Sequence, residues 1–449
     1  MSKSFSFKLA LVLMLVVSIF LVAQQPATSS KTGKSKTDEA TGKIVITSAQ
    51  VAAITTEILQ QVSEIRGLKL LRPVKSGAKS RAEIEQMVIK NFAEEATPEE
   101  LDAQYKTLVA FGLVPKDFKY QEFLTKLLTE QIAGFYDPKK KELNLANWNA
   151  LEMQKPVMAH ELTHALQDQH FNLQQFDKWP KGDGDRELAI HALIEGDATA
   201  LMIDYLVKPM GMNITKIPNQ ALNQMNEQTN QPGMEQFNAA PNAIREALIF
   251  PYSQGLLFAA EIIKAQGWDG VSKAYANLPQ STEQILHYGK YAINELPVKV
   301  VLADVSGVLG KGWKPIWKDV NGEFGYYLAL AEYIEKVSAR KAAEGWGGDQ
   351  YVLYENAAKS KIVLAHLSAW DTKNDAADFF TAYAERTAKR WPKLTAQPNQ
   401  APTKYLYATP AGETLIEMRG KSILIIEGAD EGGTEKLAAK LWESQVGEK

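Results

Sequence analysis

The chain has 449 residues, 45% hydrophobic and 23% charged, a globular balance with room for two or three cores. Lys and Arg total 50 against 53 Asp and Glu, a net charge of -3 that gives no basis for nucleic-acid binding. Cysteine is absent, which excludes disulfides, thiolate nucleophiles and Cys-ligated zinc together, so any metal ligand must be His, Asp or Glu.

At the N-terminus Lys3 and Lys8 precede an apolar run from Leu9 to Ala23, followed by a Ser/Thr/Lys-rich stretch to Lys43. The run is too short for a comfortable membrane span and reads as a signal peptide over residues 1–23, followed by a flexible linker over 24–43. Export to the periplasm or beyond is therefore expected, with transient membrane association through the N-terminal segment.

From Ile44 to Leu128 apolar residues recur at helical spacing, as in Val51, Ile54, Ile58 and Val62. The segment from Gly134 to Asn147 changes character: Asp137-Pro138 signals a turn and Leu143-Asn144-Leu145 alternates like a strand. Helical patterning returns over residues 156–169 and 186–207. Residues 213–242, rich in Asn, Gln and Pro, read as a long surface excursion, and further helices are expected over 255–265 and 325–343. Beyond Gln350 the order strand, strand, helix, three short strands, helix describes a small α+β unit. The whole is expected to be α+β, with a mostly helical domain over 44–300 and a C-terminal α+β domain over 301–449.

Met158 to Leu166 reads MAHELTHAL and contains H-E-x-x-H. On a helix, His160 and His164 project from one face with the reach to share one zinc ion, and Glu161 lies beside that face, where it can deprotonate the zinc's water. Such a site needs a third protein ligand. Glu195 is the first candidate, because from Leu188 to Ile203 only His191, Glu195 and Asp197 can ionise in an otherwise apolar helix. Gly196 would let that helix pass close to a neighbour. His170 is the second candidate, since HELTHALQDQH has the spacing of metzincins. That family needs Gly where Gln167 stands, and on a continuing helix His170 falls about 240° from His164. His191 is a third candidate or a partner of the ligands, and Asp197 points away from Glu195 towards some buried donor.

HELTH followed by Glu-Gly-x-Ala at Glu195 to Ala198 resembles the gluzincin metallopeptidases, the thermolysin-like and aminopeptidase-like zincins. The longer run GFYDP, HELTHALQDQHF, IEGDA, FPYSQG and STEQILH is similar to a set of exported bacterial proteins with a gluzincin-like core, over about Gly134 to Tyr291. The resemblance implies a zincin-like fold with one zinc per chain on His160, His164 and Glu195, and Glu161 as base. It also implies a strand beside the cleft, with Glu142 to Asn147 in the corresponding place, and a His or Tyr that steadies the oxyanion. His287 is the first choice for that role, ahead of Tyr288, Tyr291 and Tyr252. The interval from His164 to Glu195 is longer than in the thermolysin-like enzymes, and Thr199 stands where they carry Asp, which leaves the partner of His160 open. The expected function is an exported zinc metallopeptidase acting on protein or peptide. The alternative is a non-catalytic binding or assembly protein of the cell envelope on the same scaffold.

Overall fold

The computed structural model describes residues 46–130, 134–178, 182–226, 234–396 and 401–447. The expected signal peptide over 1–23 and linker over 24–43 lie outside them.

Helix α1 (Ser48–Arg66) opens on a capping box between Thr47 and Gln50 and stops at Gly67, whose φ of 73° relieves the last turn. Strand β1 (Lys75–Lys79) follows, then α2 (Arg81–Glu95), α3 (Pro98–Phe111) and α4 (Tyr120–Glu130). Strands β2 (Gly134–Asp137) and β3 (Glu142–Ala146) form the expected hairpin. Asp137 Oδ1 accepts from the backbone N–H of Lys139 and of Lys140, both at 2.9 Å, which shapes the turn. In the resulting three-stranded sheet the order is β1-β3-β2, with β1 parallel to β3.

Helix α5 (Leu151–Phe171) carries HELTH, and α6 (Gly184–Val207) carries Glu195. Val51, Leu59 and Val62 of α1, Leu143 and Leu145 of β3, Met158 and Leu162 of α5, and Leu201 of α6 close into one buried cluster. Every residue of α6 from Ala189 to Asp204 is buried, as expected of a helix that is apolar on all sides.

The expected surface excursion over 213–242 instead contains α7 (Asn219–Asn226) and α8 (Glu235–Asn238), with Leu222 and Phe237 fully buried. Next, α9 extends from Asn242 to Ala274, well beyond the expected 255–265, with Pro251 inside it and a kink at Gly267 (φ 67°). Helices α6 and α9 cross at very close range: a Cβ on Gly196 would lie 2.1 Å from the Gly255 carbonyl oxygen, and one on Gly255 2.1 Å from that of Ala192. Only glycine permits this crossing, which sets Tyr252 of α9 against the middle of α5.

Short helices α10 (Thr282–Leu286) and α11 (Tyr288–Ala292) lead through strand β4 (Val300–Val301) to β5 (Lys314–Asp319). Two helices, α12 (Gly322–Ala331) and α13 (Lys336–Ala343), replace the single one expected over 325–343. Then come β6 (Trp346–Glu355), β7 (Ile362–Trp370), α14 (Lys373–Arg390), β8 (Thr395–Ala396), β9 (Lys404–Thr409), β10 (Gly412–Arg419), β11 (Ser422–Ala429), α15 (Thr434–Leu441) and β12 (Gln445–Val446). Seven strands make one sheet of order β5-β6-β7-β11-β10-β9-β8 with every neighbour antiparallel. Its sides alternate as a two-sided buried sheet requires: Ile423 and Ile425 join the cluster that includes α6 and α9, while Leu424 and Ile426 face α15. The fold is thus mixed α+β. The seven-stranded sheet lies wholly after residue 300, but one core cluster joins Leu193 and Phe258 to Phe379 and Ile416, so the hydrophobic core crosses the boundary expected there.

Candidate metal centre

His160 and His164 sit one turn apart on α5, between fully buried Ala159, Leu162 and Ala165, and Glu195 meets them from the middle of α6. His160 Nε2 lies 3.1 Å from His164 Nε2 and 3.1 Å from Glu195 Oε2, and His164 Nε2 lies 3.5 Å from the same oxygen. A tetrahedron with zinc–ligand bonds of 2.0–2.1 Å has edges of about 3.3 Å, so the triangle matches one face of such a site. All three residues are 1–2% exposed, and the Glu195 carboxylate also lies against the Tyr252 hydroxyl. Two imidazoles and one carboxylate are donors suited to zinc, and the residues fit the ion in type, number and spacing.

Electrostatics favours positive charge at the centre of this triangle. Burial opposes ionisation of Glu195, but the adjacent imidazoles outweigh it and bring its pKa down to about 2. Burial likewise opposes a charged His164, but Glu195 outweighs it and pushes that pKa up to about 9. A proton or a divalent cation can supply the charge. Burial lifts Glu161 above the usual carboxylate range, while His164 and His160 draw it back. Its Oε2 accepts a 2.8 Å hydrogen bond from the Tyr136 backbone N–H, which fixes the carboxylate between α5 and β2.

Around the triangle, Gln167 Oε1 accepts from His164 Nδ1 at 2.8 Å, and Gln167 Nε2 donates to the Ile194 carbonyl and to Asp197 Oδ2, both at 3.0 Å. Asp197 is also paired with Arg66, 2.7 Å away and fully buried at the end of α1, and accepts from the Tyr275 hydroxyl at 3.0 Å. Asp197 therefore does turn from the metal triangle to a buried donor, as its helical position implies. His160 Nδ1 and Thr199 Oγ1 are buried without a hydrogen-bond partner among the described residues.

The other candidates fall elsewhere. His170 stays on α5, which continues through Gln167 to Phe171, and its Nε2 lies 2.7 Å from the Lys69 carbonyl oxygen. His191, one turn before Glu195, is held neutral by burial, which lowers its pKa to about 4. His287, the first choice for the oxyanion, contacts Glu323 at 2.8 Å instead. Thr282, at the start of the short helix α10 that His287 caps, bonds Asp185, ten residues before Glu195 on α6, a helix rise of about 15 Å. Tyr291 donates to the Asn277 carbonyl at 2.9 Å and packs edge-on against Phe258, whose ring is also flanked by Tyr288. Of the four, Tyr252 is the one stacked on His160, with ring centroids 6.1 Å apart. Burial first, then the charges of Glu195 and Glu161, hold its phenol protonated well above the ordinary range. Strand β3 is also corrected: it is the central strand, paired on both sides, and the edge beside Glu161 belongs to β2. Sequence reading assigned no role in the site to Gln167 as a partner or to Tyr136, although the i, i+3 spacing of His164 and Gln167 puts them on one helix face.

Residues 315–438 match a domain of unknown function (DUF8575), a segment from β5 into α15 that contains none of the residues of the metal centre. No curated protein and no solved structure matches the chain.

Proposed function

We propose that this chain is an exported zinc metallopeptidase of the gluzincin type, with one zinc per chain held by His160, His164 and Glu195. The observation that carries the reading is the triangle of their ligand atoms, 3.1–3.5 Å on each edge, with Glu161 beside it. Zinc bound there supplies Lewis acidity that polarises an amide carbonyl and acidifies water. Glu161, oriented by the Tyr136 N–H, takes the proton of the attacking water on its carboxylate and delivers it to the departing amide nitrogen. The Tyr252 phenol, protonated across the working range, donates to the carbonyl oxygen as negative charge builds on it.

The burial of all three ligand side chains supports a second reading, a non-catalytic binding or assembly protein of the cell envelope that keeps the zincin scaffold. Hydrolysis of casein by purified protein, lost on chelation and restored by zinc, supports the enzyme; zinc retained without any turnover supports the scaffold. In the enzyme reading Tyr252→Phe lowers kcat by ~10²-fold, the usual effect of losing one oxyanion donor, and His287→Ala does not.

A further inference from the structure

We infer that Gln167 is a positioning residue that presents His164 to the metal through Nε2 and, by the same amide, locks the stretch of α6 that carries Glu195. The inference rests on the zinc reading above. Its starting point is the chemistry of the partners of the amide. The Ile194 carbonyl and the Asp197 carboxylate are both acceptors, so the group facing them at 3.0 Å has to be the NH2 of Gln167. The reversed amide would set oxygen against two oxygens.

The amide oxygen must therefore face His164 Nδ1, 2.8 Å away, and can only accept, so that nitrogen carries a hydrogen. Nε2 is then the atom left to coordinate, and it is the atom 3.1 Å from His160 Nε2 and 3.5 Å from Glu195 Oε2. The amide itself is held from behind, because Asp197 is fixed by the Arg66 guanidinium and the Tyr275 hydroxyl. Ile194 and Asp197 bracket Glu195 in sequence, so one side chain sets the tautomer of one ligand and the place of another. Partners of this kind typically contribute 10–100-fold to metal affinity.

The test compares zinc affinity, by competition with a chromophoric chelator, in the wild type, Gln167→Met and Gln154→Met. Gln154 is a suitable control because it is also buried on α5 and donates to the Ala146 and Asn149 carbonyls, away from the triangle. The expected result is a 10–100-fold loss of affinity in Gln167→Met and less than about twofold change in Gln154→Met. Equal affinity in wild type and Gln167→Met, or equal losses in both variants, overturns the role of Gln167 while leaving the zinc reading intact. A wild type that binds no zinc removes that reading itself. Should Gln167→Met not fold, 15N shifts of histidine-labelled, zinc-loaded wild type decide: coordination of His164 through Nε2 is expected, and coordination through Nδ1 contradicts the assignment.

Discussion

Two groups of three side chains converge as ligands among the described residues, and they differ in what lies between them. Around Lys290 the carboxylates of Glu283, Glu295 and Asp371 stand 2.6, 3.2 and 2.5 Å from the ammonium, so this cluster holds a cation of its own. In the His160, His164 and Glu195 cluster, the only ion-pair partners of Glu195 among the described residues are the two imidazoles. Convergence of acidic groups is thus a weak sign of a metal. What separates the clusters is donor type: imidazoles, which can bind a metal, face the buried Glu195, whereas a lysine ammonium fills the other cluster.

The largest effect that would sharpen this contrast is on chemistry. Glu161→Gln keeps the three ligands and the zinc, yet kcat on a peptide the wild type cleaves should fall by ~10²-fold or more through loss of the base. Equal turnover would mean that Glu161 is not the base. Next is the support behind the first cluster. Arg66→Met leaves Asp197 buried without its guanidinium, and chemical denaturation should register a loss of about 3–5 kcal/mol. A loss below about 1 kcal/mol would show that Asp197 does not depend on Arg66.

Lys290→Met addresses the other cluster. Its zinc content should remain that of the wild type, because three carboxylates lacking imidazole suit calcium or magnesium better than zinc. Its stability should fall by about 2 kcal/mol near pH 8 and by less near pH 5. The sign follows from Glu283, whose pKa burial raises to about 7 even though Lys290 draws it down. A carboxylate with a raised pKa stabilises the fold below its ordinary pKa, and that contribution is lost as pH rises to about 7. Without the ammonium the cost of ionisation grows, so the penalty widens with pH. A penalty independent of pH between 5 and 8 would contradict this picture.

The two clusters also mark what the sequence allows to be read. H-E-x-x-H puts His160, Glu161 and His164 together by helical geometry alone, and the sparse ionisable residues of α6 make Glu195 the first candidate to join them, with His170 and His191 behind it. Gly196 announces a close helix crossing, which the structure makes with Gly255. The identity of partners across that crossing is not local information. By sequence His287 stands ahead of Tyr252, and it is the path of α9 against α5 and α6, with α10 at the far end of α6, that puts Tyr252 rather than His287 beside His160. Pro251 and Gly267 disguise the length of α9, since residues that usually end helices are accommodated within it. Gln167 was visible as a side chain that blocks a metzincin turn, but its role as an acceptor depends on where α6 places Ile194 and Asp197. In the same way, β3 reads as a strand from its alternation, and only pairing with β1 and β2 shows that it has no free edge.

The most direct measurement is zinc per chain, by elemental analysis after dialysis, in the wild type, Glu195→Gln and His170→Ala. One zinc is expected in the wild type and in His170→Ala, whose ring contacts the Lys69 carbonyl on another face of α5. A structural zinc site is worth about 10–16 kcal/mol over four ligands, so losing the Glu195 carboxylate should cost about 3 kcal/mol, roughly 10²-fold in affinity. Zinc retained in Glu195→Gln and lost from His170→Ala, or no zinc in the wild type, would contradict a centre built from His160, His164 and Glu195.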